Sequence, residues 1–125
     1  MTAQLTEEML NAGANVVRLL DKRGFLLRAA LWFYLSETDE WRLFLGTPEV
    51  RTKGPKKLYR QIQGMLAKGE DVVPLSSVVL VDSQDSLVQL LGSVVKIDDL
   101  GGFRFSRNTI GGRFIDDAYI YRLAA

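Results

Sequence analysis

Apolar residues alternate in some stretches of this chain and recur every three or four residues in others. The two periods divide it into strands and helices. The densest stretch, Phe25 to Leu45, reads FLLRAALWFYL, then a polar SETDE, then WRLFL. Trp, Phe and Tyr in succession suit a pleated surface better than a helix, so a β-hairpin is predicted. With Ser36 to Glu40 as the loop, Leu35 faces Trp41, Phe33 faces Leu43 and Leu31 faces Leu45. Side chains alternate along a strand, so these pairs share one wholly apolar face, the expected core face. The opposite face pairs Tyr34 with Arg42 and Trp32 with Phe44. A cross-strand cation–π contact between Tyr34 and Arg42 would contribute about 0.5–1 kcal/mol if exposed. Trp32 and Phe44 do not suit water, so either helices or a partner subunit must cover them. Trp32, Tyr34, Arg42 and Phe44 are therefore the candidate interface.

The same periods order the remaining elements. Thr6 is a suitable N-cap, Glu7 and Glu8 suit the positive end of a helix, and Gly24 is a stop. A first helix is predicted over Thr6–Arg23, slim at Ala12, Gly13 and Ala14 and so able to approach a sheet closely. Gly46 to Gly54 reads as a loop. Pro55 starts a second helix with an apolar stripe of Leu58, Ile62, Met65 and Leu66, ended by Gly69. Val78–Val81 is a short buried strand, and Asp82 or Ser83 caps a third helix that stops at Gly92. Further strands are predicted at Val94–Ile97 and Phe103–Ser106, with a turn or loop over Arg107–Gly112. The closing RFIDDAYIYRL is best read as one strand, bulged or bent near Asp116–Asp117.

These elements give a single α+β domain over residues 1–125. Its expected sheet is mainly antiparallel, with five to six strands and three helices in the order α-β-β-α-β-α-β-β-β. The 125 residues, 47% hydrophobic and 25% charged, can enclose a real core. The absence of Cys fits a reducing cytoplasm, where the protein is expected. With no His either, Cys–His and Ser–His catalysis and the usual zinc ligand sets are excluded. The N-terminus does not read as a signal peptide, and no apolar run reaches the roughly 20 residues of a membrane span.

The formal net charge is +1, but its distribution is uneven. Arg51, Lys53, Lys56, Lys57 and Arg60 cluster without an acid among them. Without these five, eleven basic residues remain against fifteen acidic ones, a balance of −4. Lys56 and Lys57 would sit at the start of the second helix, after Gly54, where free backbone N–H groups favour an anion. The segment is thus a candidate anion or phosphate site, and otherwise a solvated basic loop. The Walker pattern is absent, and Tyr59 is its one nearby aromatic, which gives nucleic acid little to stack on. The acid pairs Glu70–Asp71, Asp98–Asp99 and Asp116–Asp117 read as turns rather than metal or acid–base sites. Arg104, Asp117, Tyr119, Tyr121 and Arg122 could line a polar pocket, although core tyrosines with satisfied hydroxyls fit the pattern better.

The segments RAALWFYLSETDEWRLFLGTPEV, GPKKLY and DAYIYRL resemble a group of small uncharacterised bacterial proteins found in genomes and on mobile gene cassettes. The resemblance covers most of the chain from Gly24 onward. It implies a compact, self-associating α+β domain and transfers no functional residue. The leading expectation is a non-enzymatic binding module that forms a homo-oligomer, a dimer, through its sheet. The alternatives are an anion, phosphate-ligand or nucleic-acid binder using Arg51 to Arg60 and a small enzyme built on Asp, Tyr and Arg. No cofactor, metal site or catalytic residue is assigned.

Overall fold

A computed structural model describes residues 3–94 and 102–124. It is α+β, with one open, mixed five-stranded sheet and four helices among the described residues. Helix α1 (Glu7–Lys22) begins where the Thr6 hydroxyl accepts a hydrogen bond from the Met9 N–H. Strands β1 (Ala29–Leu35) and β2 (Glu40–Gly46) form the hairpin. Helices α2 (Glu49–Lys53) and α3 (Pro55–Leu66) lead, through a 3-10 turn at Leu75–Ser77, into β3 (Val78–Val81). Helix α4 (Ser86–Gly92), β4 (Phe103–Ile110) and β5 (Arg113–Leu123) complete the order. The strands lie as β3-β2-β1-β5-β4, which makes β1 central.

The hairpin register differs by one residue from the sequence expectation. Leu35 pairs with Glu40, so the loop is Ser36–Asp39 and not Ser36–Glu40. Asp39 closes it early. It takes a left-handed conformation (φ 51°), and its carboxylate accepts from the Ala3 N–H at 2.7 Å and the Tyr34 hydroxyl at 2.6 Å. A one-residue slip exchanges the faces of one strand relative to the other. Tyr34 therefore faces Trp41 and Trp32 faces Leu43, while Phe33 faces Arg42 and Leu31 faces Phe44. Tyr34 stacks on Trp41 at 5.4 Å instead of on Arg42. The four interface candidates do not share a face. Trp32 and Tyr34 are buried with the residues of α1 and α3, and Phe44 packs with the opposite core under α4. Arg42 is half-buried and donates to the Ser76 carbonyl at 2.9 Å. The hairpin is thus covered on both faces by this chain's own helices.

Other differences have similarly local causes. Strand β3 runs parallel to β2, because α2 and α3 carry the chain back before it pairs; the rest of the sheet is antiparallel. Residues 49–53, expected as loop, form α2, and just before it the Thr47 hydroxyl accepts from the Glu49 N–H at 3.2 Å. Asp85, rather than Asp82 or Ser83, caps α4. The expected turn over Arg107–Gly112 contracts to Gly111–Gly112, both in the positive-φ conformation that a tight two-residue hairpin demands. Strand β5 is a single element, as expected, but its irregularity lies at Tyr121, where the pairing with β1 shifts between Ala30 and Leu31, and not at the expected Asp116–Asp117, across which the pairing with β4 keeps its register. The strand expected at Val94–Ile97 and the turn through Asp98 and Asp99 lie outside the described residues, apart from Val94, which is in a turn.

The slim middle of α1 has the role its sequence suggests. A Cβ on Gly13 would lie 2.7 Å from Trp32 Nε1 and closer still to the Tyr121 hydroxyl. That hydroxyl accepts from Trp32 Nε1–H at 3.0 Å and donates to the Leu10 carbonyl at 2.6 Å. Burial pushes the Tyr121 phenol well above its ordinary pKa, so it remains a neutral donor. We expect Gly13→Ala to destabilise the fold by about 1–3 kcal/mol through overpacking. The cost should be smaller in a Tyr121→Phe background, where part of the obstruction is gone. Urea unfolding of the two single variants and the double variant measures this coupling; additive effects would contradict the packing described.

Candidate functional site

The crossover through α2 and α3 places the ends of β2, β3 and β5 and the start of β1 at one end of the sheet. In open sheets with parallel strands, ligands bind outside the carboxyl ends of those strands. Here that region is a crevice of about 670 Å³, lined by Arg28, Pro48, Arg51, Ser83, Gln84, Gln89 and Ala124.

Backbone pairing builds its floor. The Arg28 N–H donates to the Gly46 carbonyl at 2.8 Å, and the Arg28 carbonyl accepts from Ala124 N–H at 2.8 Å. Beyond the ends of β2 and β3, Thr47 N–H donates to the Val81 carbonyl at 3.0 Å and Ser83 N–H to the Thr47 carbonyl at 3.3 Å. Thr47 and Ser83 are buried, and Gln89 Nε2 fixes the Ser83 carbonyl from α4 at 3.0 Å. Helix α2 then brings Arg51 over the loop after β3. Its Nε and Nη2 both donate to the Asp82 carboxylate, a two-point ion pair.

This pairing sets the electrostatics. Hydrogen bonds from Arg51, and then from the Gln84 N–H, hold the Asp82 carboxyl below its usual range. The Asp82 carboxylate in turn raises Arg51. Arg28 is exposed and forms no ion pair among the described residues. Among the described residues, two arginines and one aspartate leave one net positive charge at the crevice.

The structure divides the basic segment. Arg51 belongs to the crevice. Lys53 pairs with Glu49 at 3.2 Å. Lys53, Lys56, Lys57 and Arg60 border a separate depression of about 440 Å³ around Gly54 and Pro55. All four are exposed.

The acidic candidates are also dispersed. Asp117 takes two hydrogen bonds from Arg104 and one from Ser106, at 2.7 Å, and Arg104 lies 5.5 Å over the Trp41 ring. This Arg104–Ser106–Asp117 group lines neither depression. Tyr121 is in the core, with Tyr119 against it at 5.3 Å. Glu70 and Asp71 sit in the exposed stretch after α3, and Asp98–Asp99 lies outside the described residues. Among the described residues no group of three or more acidic side chains could hold a metal ion. None of their helices is long and apolar enough to cross a membrane.

Sequence reasoning placed Arg51 but missed Arg28, Ser83, Gln84 and Gln89. The available signal was the spacing of LFLG and VVLV around a helical segment, the mark of a parallel crossover. Searches of protein-family models, curated proteins and solved structures returned no match to this chain.

Asp39, Asp82 and Asp117 are all held below the ordinary carboxylate pKa. Asp39 is lowered first by the Ala3 N–H and then by the Tyr34 hydroxyl; in Asp117 burial pulls upward but Arg104 and Ser106 outweigh it. A depressed native pKa means that the unfolded chain binds protons first on acidification. The stabilisation is complete above the unfolded value of about 3.9 and is lost as pH falls through the native values. With no His, we expect urea midpoints nearly constant from about pH 7 to 5 and falling below about pH 4. The fall should be shallower in Asp117→Asn; stability that rises on acidification would contradict the assignment.

Proposed function

We propose that the protein is a non-enzymatic binding module that holds a small anionic ligand in the crevice formed by Arg28, Arg51 and the loop after β3. The single observation that supports this is the exposed Arg28 guanidinium, free of ion pairs among the described residues, beside the compensated Arg51–Asp82 pair. A crevice of about 670 Å³ falls in the range of small-molecule sites. Its floor is fixed by backbone hydrogen bonds, so little ordering is required on binding. The four basic residues around the start of α3 are peripheral in this reading.

Amide NMR with sodium lactate and sodium phosphate at constant ionic strength tests the proposal. Saturable shifts at Ser83, Gln84 and Gln89 are expected. Arg28→Gln should weaken binding about 10–100-fold, the effect of losing a charged hydrogen-bonding partner. The double variant Lys56→Gln, Lys57→Gln should stay within about twofold, since only long-range charge is lost. The reverse pattern would return the site to the basic segment.

A second reading, a homodimer, is favoured by the unequal edges of the sheet. The Tyr59 hydroxyl accepts from Leu80 N–H at 2.9 Å and donates to the Val78 carbonyl at 3.4 Å, which closes the short β3 edge. The β4 edge has no such cover among the described residues. It carries Phe103, 44% exposed, and Phe105 at 6.5 Å from it, while Asp117 compensates the charge of Arg104 between them. Antiparallel pairing of two β4 strands about Arg104 would set Phe103 of each copy opposite Phe105 of the other. Sedimentation should then show a dimer at micromolar concentration that Phe103→Lys converts to monomer. A strict monomer for the unaltered chain would overturn this reading.

A further inference from the structure

We infer that the crevice takes the carboxylate of a small monoanionic organic acid in preference to a phosphate group. The inference rests on the crevice being the binding site and adds the class of ligand.

Phosphate sites are commonly built from free backbone N–H groups at turns and helix starts. Here four of the six amides from Ser83 to Val88 are already taken. The Ser83 N–H donates to the Thr47 carbonyl, the Gln84 N–H to the Asp82 carboxylate and the Asp85 N–H to the Asp82 carbonyl. The Leu87 N–H is held by the Asp85 carboxylate at 2.9 Å. A phosphate entering this loop would meet carboxylate oxygens where it needs donors. The charge balance acts in the same direction. A phosphate monoester carries roughly −1.5 to −2 at neutral pH, against one net positive charge at the crevice. A monocarboxylate matches that charge.

The remaining donors suit a planar group. Arg28 presents a guanidinium free of ion pairs among the described residues, and its fork can hold the two oxygens of a carboxylate, as it can those of a phosphate, so the preference comes from the charge balance and the occupied amides. Gln89 uses one amide hydrogen on the Ser83 carbonyl and retains another N–H and its carbonyl oxygen. With the Gln84 amide, it can meet a hydroxyl or amide next to the carboxylate. Pro48 and Ala124 supply the apolar part of the lining for a short carbon body.

Lactate and inorganic phosphate, titrated separately at neutral pH and equal ionic strength, distinguish the two classes by amide NMR. Lactate is expected to bind with a Kd at least fivefold lower than phosphate, read at Gln84 and Gln89. Arg28→Lys, which keeps the charge and loses the fork, should weaken lactate at least fivefold. If phosphate binds as tightly as lactate or more tightly at these residues, the carboxylate assignment is overturned and the crevice remains an anion site. If neither anion gives saturable shifts there, both readings fall.

Discussion

The close approach of α1 to the central strand at Gly13 is the constraint on which the rest of the fold depends. Only a residue without a side chain admits both Trp32 Nε1 and the Tyr121 hydroxyl at that point. The hydroxyl is donor and acceptor at once, linking α1 through Leu10, β1 through Trp32 and β5 through its own backbone. Each of these polar groups would be costly to bury without a partner, by about 1–3 kcal/mol. Helix, central strand and neighbouring strand are therefore held in one relative placement, and Val16, Val17 and Leu20 pack around it.

That placement extends to the crevice. Strand β1 begins one residue after Arg28, whose backbone bonds to Gly46 on one side and Ala124 on the other. Fixing β1 fixes Arg28 between the ends of β2 and β5. The parallel pairing of β3 then adds Ser83 and Gln84, and α2 returns Arg51 to Asp82. The crevice is a consequence of the crossover, with its charge set by which arginine has an acidic partner.

Much of this was legible in the sequence, and what was not has identifiable causes. The cap at Thr6, the slim turn at Gly13 and the stripe of Leu58, Ile62 and Leu66 are local signals that packing reinforces. The hairpin was readable, but its register depended on Asp39, an aspartate in a left-handed turn held by the distant Ala3 N–H. One residue of loop length then decided the faces of Trp32, Tyr34, Arg42 and Phe44. The parallel β3 pairing is non-local, and its mark is the spacing of LFLG and VVLV around a helical segment rather than any single residue. The crevice was least legible because its residues come from five separated segments, and glutamines at such positions look like ordinary surface residues.

The most direct test of the central constraint is hydrogen exchange at the Trp32 indole. Trp32 Nε1–H should exchange as slowly as the best-protected β1 amides, through global unfolding only. Trp41 Nε1–H, bonded to the Ala3 carbonyl near the chain end at 3.0 Å, should exchange faster. A Trp32 indole that exchanges at the rate of an exposed side chain would show that α1 does not clamp the central strand.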